Sequence, residues 1–128
     1  MKDKRGLTLV EILVVVGILA LLAAIALPNL LRAKVSANEA ATRAALRAIS
    51  NSLENYAIVN HIYPSDTNQI IGASPPYLSM NYFSGTHFGY NYSSSLTDYT
   101  YTITATPVNS NTGTTVYTIT TGGVLSTL

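Results

Sequence analysis

From residue 7 to residue 31 the chain carries one ionisable side chain, Glu11, and between Ile12 and Leu27 nothing is more polar than Gly17. A helix of that length runs about 37 Å at about 1.5 Å per residue, enough to cross a hydrocarbon core about 30 Å thick with some tilt. Polar residues then appear, but Ala33, Ala37, Ala40, Ala41, Ala44, Ala45 and Ala48 are strong helix formers, and no glycine or proline stands between Asn29 and Tyr63. The pattern predicts one helix running on to about Asn60. Leu46, Ile49, Leu53 and Tyr56 fall on one face at helical spacing, with Arg43, Arg47, Asn51 and Glu54 mainly elsewhere. That face is where a sheet is expected to sit. Tyr63-Pro64 marks the end, because proline disfavours helical geometry in the residue before it and has no N–H to donate.

Residues 63–86 show no sustained period and hold Pro75-Pro76, Gly72 and many short polar side chains, which predicts a loop of a length usually tied to function or its own packing. Period two sets in at Phe88. Phe88, Tyr90 and Tyr92 form one set, Tyr99, Tyr101, Ile103 and Ala105 a second, and Tyr117 and Ile119 a third, each alternating with small or polar residues. Aromatic and β-branched residues at that period read as strands, and the turn formers between them predict an antiparallel meander. Gly122-Gly123 is placed to turn the chain into a short last strand at Val124-Leu125. The expected fold is α+β: a long N-terminal helix, membrane-spanning over 7–31 and amphipathic over 32–62, packed on a small antiparallel sheet of three to four strands within 87–128.

With 128 residues and the first third committed to one helix, the remainder can support one modest core. Cysteine is absent, which removes both a disulfide framework and thiolate chemistry. Charge is asymmetric: Lys2, Lys4 and Arg5 against Asp3 precede the apolar run, whereas from residue 7 onward Arg32, Lys34, Arg43 and Arg47 face five acids, Glu11, Glu39, Glu54, Asp66 and Asp98. A basic N-terminal flank keeps that side in the cytoplasm, while Arg32 and Lys34 on the other flank argue for the opposite orientation.

Three readings of the apolar run follow. A secretory signal would use Ala24-Ile25-Ala26 as its cleavage site, but the run is longer than an ordinary signal core and contains an acid. A plain single-span anchor explains the length and leaves Glu11 as an unexplained cost of about 3 kcal/mol at mid-bilayer. The third has a short leader cut off after Gly6 while the apolar helix stays. Here Gly6-Leu7-Thr8-Leu9-Val10-Glu11 resembles the cleavage motif of type IV pilins and the related type II secretion pseudopilins, and Pro28-Asn29-Leu30-Leu31-Arg32-Ala33 resembles the next block of that family. Glu11 is the fifth residue after Gly6 and Pro28 the twenty-second, as in the family; Leu7 departs from its usual phenylalanine or methionine.

The resemblance implies a cleaved leader over 1–6, a cut between Gly6 and Leu7 by a membrane prepilin peptidase, and methylation of the new Leu7 amine. It implies that Glu11 pairs with a neighbour's Leu7 amine during assembly and that Pro28 and Gly17 let the helix lose order in the filament. It makes the chain a structural subunit of a homo-oligomeric helical filament, with minor pilins, an inner-membrane assembly platform and membrane lipid as further partners. The precursor is expected in the cytoplasmic membrane with its N-terminus inside, and the mature protein in an extracellular or periplasmic filament. A pseudopilin of a type II secretion system shares the same leader and helix. A monomeric, single-span membrane-anchored binding domain is a different class and predicts no cut at Gly6.

Other chemistry is thin. His61 and His87 have no acid at metal-site spacing, no nucleophile elbow or phosphate loop occurs, and Asp98 is the only acid after Asp66, too few carboxylates for a calcium loop. No enzyme activity, cofactor or metal is expected, nor a nucleic-acid partner, since no basic stripe with interleaved aromatics exists. The nine tyrosines read as sheet packing, and the threonine-rich strand faces as β geometry or glycan carriers.

Overall fold

The computed structural model describes residues 6–128; most of the expected leader, with Lys2, Lys4 and Arg5, lies outside the described residues. The chain divides into two compact units, Met1–Ala33 and Lys34–Leu128. Helix α1, Leu9–Asn60, contributes to both. In the first unit every residue from 6 to 33 is exposed, so this apolar surface has no partner among the described residues.

The second unit holds the rest of α1, a short helix α2 (Asn68–Ile71) and five strands: β1 (Thr86–His87), β2 (Tyr90–Leu96), β3 (Tyr101–Pro107), β4 (Tyr117–Thr120) and β5 (Val124–Thr127). They form one sheet in the order β1-β2-β3-β4-β5, every neighbouring pair antiparallel. The meander is as expected, with one strand more than the three to four predicted. The addition is β1, whose two residues are too few to show a period. It joins β2 through the two-residue turn Phe88-Gly89, both at positive φ (55° and 75°), the geometry whose twist matches the flanking strands. Gly89 is required there twice over, since a Cβ would also lie 2.5 Å from Cβ of Thr112.

Two residues read as inward-facing strand positions are corrected by this turn chemistry. Phe88 is the turn residue just described and is 44% exposed. Tyr99 sits in the turn between β2 and β3, where Thr97 Oγ1 accepts from the Thr100 amide at 3.0 Å and closes the loop; it is 79% exposed. The predicted loop also contains α2, which starts where Asp66 accepts from the Asn68 amide at 3.1 Å. Further upstream, α1 stops before Pro64 is reached, because His61 turns to φ 62° while its amide still donates to the Ala57 carbonyl.

The core is the predicted helix face against the predicted inward strand positions. Leu46, Ile49 and Leu53 are buried together with Tyr90, Tyr92, Tyr101, Ile103, Ala105, Tyr117 and Ile119, and Tyr56 packs at the margin. Alternate residues of β2 and β3 point away: Asn91, Ser93 and Ser95 stand in register with Thr106, Thr104 and Thr102.

Polar side chains on α1 take up the tyrosine hydroxyls, which lets such large amphipathic rings be buried. The Tyr101 hydroxyl lies 2.7 Å from Ser50 Oγ and donates to Glu54 at 2.9 Å. Glu54 also accepts from Tyr63 and from the Gly122 amide, fastening the β4–β5 turn to the helix. Nearer the start of this unit, Glu39 accepts from the amide and hydroxyl of Thr114 and from Tyr117, and Arg43 Nη1 donates to the Tyr117 hydroxyl at 3.0 Å. The Thr114 amide bond holds the Glu39 carboxyl below its ordinary value, against the opposing effect of burial.

Burial pushes the Tyr90 hydroxyl up to about 12, and burial with the Glu54 bond does the same for Tyr63. A raised folded-state value means the neutral hydroxyl is favoured by folding, so its contribution is complete below about pH 10, the ordinary tyrosine value, and is lost as pH rises towards 12. The expected result is alkaline unfolding in that window, tyrosinate absorbance and loss of near-ultraviolet circular dichroism rising together. Unchanged tertiary signal through pH 12 would refute a supporting role for the buried hydroxyls.

Candidate functional site

Gly6, Leu7 and Thr8 precede the first turn of α1 and are exposed. A Cβ built on Gly6 meets no atom within 4 Å, so none of the described residues requires glycine there by close approach. Any demand for glycine at this position must come from a partner that handles the extended chain.

Thr8 is the residue before the helix and Glu11 the third residue within it. The Thr8 amide donates to Glu11 Oε2 at 2.8 Å, the Thr8 hydroxyl donates to the same oxygen at 2.9 Å, and the Glu11 amide donates to Thr8 Oγ1 at 3.2 Å. This reciprocal arrangement is a capping box, which satisfies two of the amides a helix start leaves without partners. Its acid also sits at the positive end of the helix dipole. The bonds of Glu11 run to Thr8, with Leu7 still joined to Gly6 by a peptide bond. Thr8 did not figure among the predicted site residues, although Thr-x-x-Glu ahead of an apolar run is itself a readable signature.

Pro28 lies inside α1. It has no N–H to offer the Ala24 carbonyl and is about 26 Å along the helix from Glu11 at about 1.5 Å per residue, so the two act at separate places. Leu9, Ile12, Leu13 and Val16 share one apolar face of the helix, and at about 100° per residue Glu11 falls on the other side. The helix is long and apolar enough over this stretch to cross a membrane. Among the described residues no group of three or more His, Asp or Glu side chains comes together. His87 Nε2 is 3.0 Å from the Ser84 carbonyl, with its ring against Tyr82.

Residues 1–27 match the family described as the prokaryotic N-terminal methylation motif. The chain carries that motif. Gly6, Leu7 and Glu11 lie within the matched stretch, and Pro28 is the next residue after it. The chain is 39% identical over 71 residues to the type IV wide pilus major component of Thermus thermophilus, covering 56% of this chain and 54% of that one. To the type II secretion system core protein G of Escherichia coli it is 41% identical over 66 residues, covering 52% and 45%. To the protein of the same name from Vibrio cholerae it is 38% identical over 65 residues, covering 51% and 44%. The chain thus spans about half the length of the curated relatives it matches. No solved structure matches it. The resemblance to pilins and pseudopilins drawn on Gly6-Leu7-Thr8-Leu9-Val10-Glu11 and Pro28-Asn29-Leu30-Leu31-Arg32-Ala33 is borne out by the motif and by these relatives.

Proposed function

We propose that the chain is a structural, non-enzymatic subunit of a type IV pilus-like filament, inserted as a membrane precursor, cut between Gly6 and Leu7, methylated at the Leu7 amine and assembled by helix packing. The observation that carries this reading is the methylation motif at the head of a helix whose apolar stretch is exposed from residue 9 to residue 33. An exposed apolar cylinder of this length has two environments that satisfy it, lipid before assembly and other copies of itself afterwards.

In the precursor the N-terminus is cytoplasmic, and a prepilin peptidase and an inner-membrane assembly platform act on it. Minor pilins and the same chain are its filament partners. After the cut, the amine of Leu7 is the nearest cation available to Glu11, and in the water-poor packing of a filament a pair between copies compensates a carboxylate that would otherwise be costly. Pro28 and Gly17 are the points at which the helix loses order as the fibre extends. The similarity to core protein G of two secretion systems supports a second reading, a pseudopilin. Deletion separates the two: loss of surface fibres marks the pilus subunit, and loss of protein secretion marks the pseudopilin.

Mass analysis of the native N-terminus tests the common part. The expected species begins at a methylated Leu7; a chain retaining Met1 in the mature fraction would leave only an anchored domain. Gly6→Val should accumulate as uncut precursor in the membrane. Because a side chain at this position meets none of the described residues, mature fibres with Leu7 at their start in that variant would dismiss the proposed cleavage requirement.

A further inference from the structure

On the exposed side of α1 in the second unit, Ala40 and Ala44 form the floor of an open groove of about 240 Å³ with Arg43 and Arg47 as its walls. Arg43 is held in place by its bond to the Tyr117 hydroxyl and lies 5.5 Å from that ring's centre. Arg47 is exposed. The floor is flat because alanine projects only a methyl, and the walls are planar cations, so the groove suits a flat aromatic ring accompanied by an anion.

The same unit displays one such pair. Asp98 and Tyr99, adjacent in the turn between β2 and β3, are both exposed, Tyr99 more than any other tyrosine. Their turn is fixed to the far end of α1, where the Tyr63 amide donates to the Asp98 carbonyl at 3.0 Å. Between residues 61 and 128 the chain has no lysine or arginine, and Asp66 and Asp98 are its only charges. Asp66 is already engaged by Asn68. The cations of the unit, Lys34, Arg43 and Arg47, lie along the first half of its share of α1, whereas Asp98, which accepts no side-chain bond among the described residues, lies beyond the end of that helix.

We infer that the Asp98-Tyr99 turn of one copy docks into the Ala40, Arg43, Ala44, Arg47 groove of a second copy, Tyr99 lying on the alanine floor and Asp98 pairing with Arg47. This rests on the filament reading and adds to it a contact between the second units. The turn cannot enter its own groove, since about 20 Å of helix separate Arg47 from the end of α1. The contact is therefore heterologous: each copy offers a turn at one end and a groove at the other, which generates open arrays rather than closed pairs. Contacting copies would be displaced by about 25 Å along α1.

The absence of native cysteine makes the test direct. The full chain carrying both Arg47→Cys and Asp98→Cys is expressed in its own host, and sheared fibres are treated with a short bis-maleimide. A ladder of covalent multimers is expected, with either single variant remaining monomeric. Normal fibres without a ladder overturn the contact and leave the filament reading standing; that outcome includes a groove occupied by anionic lipid or another protein. Multimers in the membrane without fibres keep the contact and remove the filament reading, and neither multimers nor fibres removes both. Should the cysteine variants fail to accumulate, charge exchange decides. Arg47→Glu and Asp98→Lys should each lower fibre yield several-fold with cleavage unchanged, and the double variant should restore it; a double variant no better than either single one rejects the contact.

Discussion

Glu11→Val protein is expected to insert, to be cut after Gly6, and to be missing from sheared fibres when co-expressed with the wild-type chain. Neither insertion nor cleavage needs the carboxylate, and removing it from an apolar helix favours residence in the bilayer. Under the proposed pairing assembly does need it, because the Leu7 amine that cleavage would release enters the filament as a cation for which Glu11 is the proposed carboxylate partner. The capping box supplies a control. Thr8→Val removes the hydroxyl that bonds Glu11 but keeps the charge. Its helix start should fray, a loss of about 1 kcal/mol at a cap, while incorporation continues. Normal incorporation of Glu11→Val would eliminate the pairing mechanism; equal loss in both variants would assign the defect to the cap instead.

Leu53→Ala is expected to destabilise the second unit by about 2 to 5 kcal/mol, enough to unfold a marginal domain. Leu53 has no exposed surface and belongs to the buried cluster that also holds Ile49 and the sheet tyrosines, so truncation removes buried apolar volume from a packed core. Thr102→Ala and Thr104→Ala, on the opposite face of β3, should stay within about 0.5 kcal/mol. Chemical denaturation of a soluble fragment lacking residues 1–31 measures all three. Indistinguishable midpoints would mean that the face of α1 carrying Leu53 does not support the sheet.

What could be read from the chain beforehand was whatever repeats. The helical spacing of Leu46, Ile49 and Leu53 and the alternation along β3 each report a face, because a buried surface imposes its period on the residues that cover it. Phe88 and Tyr99 misled for the same reason: both extend an alternating series by one step, but burial ends where a turn begins, and hydropathy does not register backbone dihedrals. The better signal at Phe88 was its neighbour Gly89, and at Tyr99 the pair Thr97 and Thr100 that closes the turn. β1 and α2 are too short for any period and depend on local bonds and on strand pairing.

The candidate site was legible at Glu11 because a lone acid in an apolar run demands a partner. Charge alone points from Glu11 to a cation, whereas Thr8 needs no charge to satisfy that oxygen. The helix side of the core was likewise read as apolar only, whereas Thr42, Ser50 and Ser52 are buried within it. Two of these small polar residues meet the tyrosines: Thr42 accepts from the Tyr92 hydroxyl at 3.4 Å, and Ser50 lies beside that of Tyr101.

The outward face of β2 and β3, with Asn91, Ser93 and Ser95 opposite Thr106, Thr104 and Thr102, carries hydroxyls and an amide and no ionic group. Such a surface is wetted by hydrogen bonding alone, so it has no counterion atmosphere to compress when ionic strength rises. Across the range over which the Debye length falls from about 30 Å to about 3 Å, its hydration and any adhesion it mediates stay the same, whether the surrounding fluid is fresh water or brine.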